Sequence, residues 1–160
     1  SIRQPAPKSY ELLSTGVVVG VTFPYEALTG FKIVNLVKFH TELPGGLYSS
    51  GFYTIINKKK YDALSAADKK VIDDLSGAAF ARRAGKVWDM NDADGKAAAV
   101  KGKHTFAKAG APILESVKKI KADLEKDYVA DMKKQGIDGA AILKYFYAEL
   151  AKEQAMMSKK

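Results

Sequence analysis

Early in this chain the apolar positions gather in short β-branched and aromatic runs, Val17-Val-Val-Gly-Val21, Ile33-Val-Asn-Leu-Val-Lys-Phe39 and Phe52-Tyr-Thr-Ile-Ile56. Runs of this length, bounded by Pro24, Gly30, the turn Pro44-Gly45-Gly46 and Gly51, predict three strands. The first run is apolar on both faces, the pattern of a strand covered on both sides in a largely parallel sheet. A short helix is expected before it, with Ser9 capping Tyr10 to Ser14 and Gly16 near its end.

Beyond Leu64 the period changes. Ser65-Ala-Ala-Asp68 has the spacing of a capping box and opens a long Ala-rich segment toward Val100. Val71, Leu75, Phe80, Val87 and Trp88 mark its apolar stripe, and Gly77, Gly85 and Gly95 interrupt it. The expectation is one bent helix or two that abut. An extended link, Lys103-His-Thr-Phe106, with room for a small strand, follows. Pro112 suits a first helical turn, and Ile113, Val117, Ile120, Leu124 and Tyr128 then recur at helical spacing until Gly136. Asp138 is placed to cap a last helix through Ile142, Phe146 and Leu150. The tail Met156 to Lys160 is expected to fray. The chain therefore reads as α/β, with a strand-rich portion over 1–64 and a helical portion over 65–160.

Composition narrows the chemistry. With 160 residues the chain is long enough for a hydrophobic core, and with no cysteine it has neither a disulfide framework nor a thiolate metal site. No apolar run is long enough to span a membrane as a helix. The chain starts at Ser1 without an initiator Met, as a processed or trimmed protein would. Its net charge is +8, yet only three of the 26 basic residues are arginine, Arg3, Arg82 and Arg83. The later lysines alternate with acids, as in Lys118-Lys-Ile-Lys-Ala-Asp-Leu-Glu-Lys-Asp127, which describes a solvated helix face and argues against nucleic acid as a partner.

Catalytic patterns are lacking. His40 and His104 are the only histidines. His40 and Glu42 would share one strand face, but a third metal ligand has no candidate. Ser49-Ser50 does not form a nucleophile elbow, and Gly16-Val-Val-Val-Gly20 is neither a dinucleotide fingerprint nor a P-loop. The carboxylate pairs Asp73-Asp74 and Asp92 with Asp94 have lysines nearby and read as solvated surface. The expectation is a protein that is not an enzyme and carries no cofactor and no metal.

In order along the chain, Tyr10-Glu-Leu-Leu-Ser-Thr-Gly16, Val17-Val-Val-Gly20, Phe23-Pro24, Tyr53-Thr-Ile-Ile-Asn-Lys58, Tyr61-Asp-Ala-Leu64, Ala67-Asp68, Val71-Ile72 and Gly136-Ile-Asp138 resemble the C-terminal half of a substrate-binding protein of the TRAP transporter type, the DctP-like periplasmic receptors for organic acids. The resemblance implies part of a two-lobed periplasmic-binding-protein-like fold, with a short, mostly parallel sheet, a lobe-spanning long helix and C-terminal packing helices. It implies a small carboxylate solute held in a cleft, membrane transporter subunits as partners, and a periplasmic location.

Two departures stand out. Val19 occupies a position where the family usually has Asp. The family's receptors are also longer, so the first lobe and the arginine that clamps the solute carboxylate would precede Ser1. The resemblance points to Phe23 as a cleft residue, with Tyr25 beside it and Tyr48 on the crossing segment as further solute-binding candidates. An aromatic wall suits the apolar body of a small acid, and tyrosine hydroxyls suit its oxygens. The leading expectation is a periplasmic organic-acid receptor subunit in truncated form. The alternatives are a fragment stabilised by self-association, through exchange of strands or of the long helix, and a basic helical nucleic-acid-binding module.

Overall fold

A computed structural model describes residues 2–157. Two compact units make up the chain. The first comprises the chain up to Glu42 together with Tyr48–Lys108, and the second Leu43–Leu47 together with the chain from Ala109 on.

In the first unit a 3-10 turn at Ala6–Lys8 leads into α1 (Ser9–Ser14), followed by α2 (Glu26–Gly30), β1 (Phe39–Glu42), α3 (Lys58–Asp62), α4 (Ala66–Leu75), α5 (Gly77–Lys101) and β2 (Thr105–Lys108). The strands pair in parallel, with Phe39 opposite Thr105 and Glu42 opposite Lys108. A parallel pair needs a crossover, and the intervening chain includes α3, α4 and α5. The core lies where α2 packs on α5. Leu28, Ile33 and Ala99 are buried there, with Leu13, Phe23, Phe31, Val34 and Phe106 packed around them. Ile33 is fully enclosed, so truncating it to Ala would cost about 2–5 kcal/mol.

The helical expectations hold closely. Ser65 caps α4, its Oγ accepting the Asp68 N–H at 3.1 Å, a cap worth about 1 kcal/mol. The Ala-rich stretch is two abutting helices. They break at Ser76 and Gly77, whose φ of +62° suits a residue without a Cβ. Gly85 and Gly95 lie within α5 without ending it. The link after α5 does contain a strand, β2.

Ser9 does not cap the first helix. It lies inside α1, and its hydroxyl donates to the Ala6 carbonyl at 2.6 Å, while Lys8 takes the cap position with no side-chain bond. The strand expectations are corrected more widely. Val17–Val21 and Phe52–Ile56 form no strand, and of Ile33–Phe39 only Phe39 belongs to one. Val19 is wholly exposed rather than covered. The physical reason is that a β-run becomes a strand only with a ladder partner. Residues 47–56 make no backbone-to-backbone hydrogen bond with any described residue.

The second unit carries α6 (Ala111–Lys134) and α7 (Gly139–Met157), packed on each other. Pro112 sits in the first turn of α6. Asp138 Oδ1 accepts the Ala141 N–H at 2.9 Å at the start of α7. Gly139 fits closely against Met132 and Val129. Tyr147 O–H donates to Glu125, and the Lys121 ammonium lies 4.7 Å from the Tyr147 ring centre. Met156 and Met157 are the last residues of α7, and the remainder of the tail expected to fray, Ser158 to Lys160, lies outside the described residues.

Candidate solute site

The turn Phe23-Pro24-Tyr25 lies between the unpaired Val17–Val21 run and α2. Proline presets the backbone for the turn, and its carbonyl accepts the Ala27 N–H at 3.2 Å, starting α2. Phe23 is half-buried. Its ring lies 5.5 Å from that of Phe31 at an angle of 45°, against the Leu28, Ile33 and Ala99 cluster. Tyr25 is also half-buried, and its hydroxyl donates to Glu42 Oε1 at 2.9 Å. Tyr48 is 53% exposed and donates its O–H to the Thr22 carbonyl at 2.8 Å, one residue before Phe23. All three aromatic candidates thus touch or belong to the Thr22–Tyr25 turn.

Around Tyr25 the structure gathers groups that lie far apart in the sequence. Lys96 Nζ donates to Glu42 Oε1 at 2.6 Å and sits 5.3 Å from the Tyr25 ring centre and 5.8 Å from that of Phe106. Burial, the Glu42 hydrogen bond and the neighbouring carboxylates push the Tyr25 hydroxyl up to about 12. Glu42 is held below the usual carboxylate range by its hydrogen bonds from Lys96 and then Tyr25. The arrangement keeps Tyr25 a proton donor and Glu42 an anion.

His40 and His104 also come together, although they stand in different parts of the sequence. Their rings stack at 5.2 Å and 11°, and His40 Nε2 lies 2.9 Å from His104 Nδ1. Lys38 Nζ approaches His104 Nε2 at 3.4 Å. Burial lowers the proton affinity of both imidazoles, aided by His104 for His40 and by Lys38 for His104. Phe106 stacks on His40 at 5.1 Å. No group of three metal-ligating side chains occurs among the described residues.

Asp92 corrects a sequence expectation. Rather than solvated surface, its Oδ1 accepts the Glu26 N–H at 2.8 Å. Burial and then Asp92 raise the Glu26 carboxyl. Asp73 and Asp74 do stay at the surface, bonded to Tyr61 and Lys70.

The described residues include a helix-rich α/β unit with an aromatic turn packed on its core. The chain belongs to the bacterial extracellular solute-binding proteins, family 7 (DctP), whose family model matches residues 4–132. That family consists of receptors rather than enzymes. The chain is similar to a TRAP periplasmic solute-binding protein from Bordetella bronchiseptica, solved with bound (R)-mandelate and (S)-mandelate, at 39% identity and a TM-score of 0.83 over 94% of this chain and 48% of that one. It is likewise similar to a TRAP solute-binding protein from Rhodoferax ferrireducens T118, solved with copurified benzoate, at 30% identity and a TM-score of 0.81 over 98% of this chain and 49% of that one. A curated relative, the outer membrane transporter protein TsaT of Comamonas testosteroni, is 27% identical over 151 residues, 94% of this chain and 44% of that protein. The chain therefore spans about half the length of these relatives.

Proposed function

We propose that this chain is the C-terminal portion of a periplasmic TRAP-type receptor that captures a small aromatic carboxylate for uptake by membrane transporter subunits. The observation that carries the reading is the mandelate- and benzoate-bound character of the similar solved structures, at 39% and 30% identity over nearly the whole of this chain. The turn on the core agrees with it. Phe23, packed on Phe31, offers an apolar face for an aromatic ring, Tyr25 belongs to the same turn, and Tyr48 bonds to the Thr22 carbonyl just before it. In this reading residues 1–64 supply the cleft and hinge portion, and 65–160 the helical portion, with α5 as the lobe-spanning helix. Nucleic acid has no part in it.

The test is thermal unfolding of the chain in the presence of benzoate, mandelate and 3-hydroxybenzoate, with succinate as the aliphatic comparison. A ligand at 100 times its Kd stabilises the native state by about 2.7 kcal/mol, so an aromatic acid should raise the midpoint where succinate does not. Midpoints unmoved by every aromatic acid would sink the assignment for this chain.

A second reading has its own observation. Phe52, Tyr53 and Ile55 are 74%, 84% and 81% exposed within a β-type run that has no ladder partner. Self-association of the chain through that run would pair its backbone and cover its side chains.

A further inference from the structure

One face of α5 is committed to the solute turn. Asp92, Gly95 and Lys96 are spaced i, i+3, i+4, which puts them side by side on the helix surface. Each meets the turn differently. Asp92 Oδ1 accepts the Glu26 N–H at 2.8 Å. That N–H belongs to the first residue of α2, whose cap residue Tyr25 makes no side-chain cap bond, so a carboxylate from another helix fills the role. Gly95 is buried directly beneath the same Tyr25–Glu26 peptide. A Cβ there would lie 2.1 Å from the Tyr25 carbonyl oxygen and 2.6 Å from its carbon, so any side chain would force helix and turn apart. Lys96 reaches past the turn to Glu42 Oε1 at 2.6 Å, and the same oxygen accepts the Tyr25 O–H at 2.9 Å.

Apolar packing of Leu28, Ile33 and Ala99 already holds α2 on α5. Such packing is non-directional and does not by itself fix how the turn is rotated on the helix. The polar contacts do, because a hydrogen bond weakens steeply away from its preferred angle. Two charged side chains are thus spent on orienting a turn that the core would retain without them.

We infer that Asp92, Gly95 and Lys96 are positioning residues that set the affinity of the solute site by locking the Phe23-Pro24-Tyr25 turn onto α5, without touching the solute. This rests on the functional reading above. Phe23 lies three residues before the Glu26 amide that Asp92 holds, so rotation of the clamped peptides would carry its ring with them.

The experiment compares the wild-type chain with Asp92→Ala, Asp92→Asn and Lys96→Met, by benzoate titration calorimetry, thermal unfolding, and hydrogen exchange of the Glu26 amide. Asp92→Ala is expected to weaken benzoate binding about tenfold and to speed Glu26 exchange, whereas Asp92→Asn, which keeps an acceptor oxygen, restores most of both. Lys96→Met, which keeps the apolar stem, is expected to weaken binding with little change in the unfolding midpoint. A merely structural role would lower the midpoint and leave the affinity of the folded protein alone. Benzoate affinities of Asp92→Ala and Lys96→Met within about twofold of wild type would overturn the inference. Absence of benzoate binding by the wild type would sink the functional reading instead. Glu26 exchange then decides the clamp by itself, standing if protection is lost in Asp92→Ala and kept in Asp92→Asn, and falling if exchange is the same in all.

Discussion

Phe23 has two neighbourhoods that a single substitution separates. Its ring packs on Phe31 and the Leu28, Ile33 and Ala99 cluster, so Phe23→Ala would leave a void and mix a stability loss with any binding loss. Phe23→Leu keeps most of the apolar volume and removes only the flat face. If that face meets an aromatic solute, Phe23→Leu weakens benzoate binding about fivefold to tenfold while the unfolding midpoint moves by only a few degrees. Calorimetric titration beside a melting curve checks this, and unchanged affinity would remove Phe23 from the site. At this scale the sequence is legible unevenly. Phe23, Tyr25 and Tyr48 are candidates on family resemblance alone, since nothing in a lone aromatic beside a proline announces a ligand. Asp92 was misread because a carboxylate near lysines on a helix looks solvated, and its true partner, the Glu26 amide, is 66 residues away. Gly95 is a local signal of close backbone approach, but Gly85 in the same helix has open space around it, so the sequence does not tell the two apart.

The β1–β2 pair is only four residues long, and His40 of β1 stacks on Phe106 of β2 and on His104 just before that strand. His40 faces His104, Glu42 and Tyr25, while His104 faces His40 and Lys38. Both imidazoles have folded-state proton affinities lowered from the ordinary 6.5, His40 by burial and His104, His104 by burial and Lys38. Below pH 6.5 the unfolded chain therefore takes up protons that the folded chain resists, and stability falls as pH is lowered through that value. The melting midpoint is expected to drop between pH 7 and pH 5.5, and His104→Gln should flatten the drop even if it lowers the midpoint overall. An equal slope in His104→Gln would show that His104 is not the source of the acid sensitivity. Elements differ in legibility for the same reason that this ladder is delicate. Helices close their own hydrogen bonds, so the caps at Ser65 and Asp138 and the first-turn Pro112 could be read locally. Strands depend on a partner, and the β-type runs at Val17–Val21 and Phe52–Ile56 have none among the described residues. The five-residue α2 is too short to show a period.

For the molecule as a whole, the family and the α/β class were readable because ordered short motifs extend over most of the chain, whereas the balance of covered and uncovered apolar surface was not. Phe52, Tyr53 and Ile55 lie on a run with no backbone ladder partner among the described residues; the Phe52 ring stacks on Trp88 at 5.1 Å, yet the three side chains stay largely exposed. Exposed β-type runs of this kind recruit another extended segment, because each added ladder bond pairs two groups and each covered side chain leaves water. Net charge of +8 opposes close approach of two copies, and added salt relieves that repulsion. Association of the isolated chain should therefore grow with both protein and salt concentration. Ile55→Lys tests the run itself. The residue is 81% exposed, so the substitution should change the stability of the monomer by no more than about 0.5 kcal/mol. In an associated form it would place a charge in a covered strand, and the mass seen by light scattering should fall to that of one chain. A wild-type chain that stays monomeric across concentration and salt would rule out self-association and leave the run free for a segment supplied by another part of a longer receptor. A wild type that associates while Ile55→Lys does not would identify the Phe52–Ile56 run as the contact.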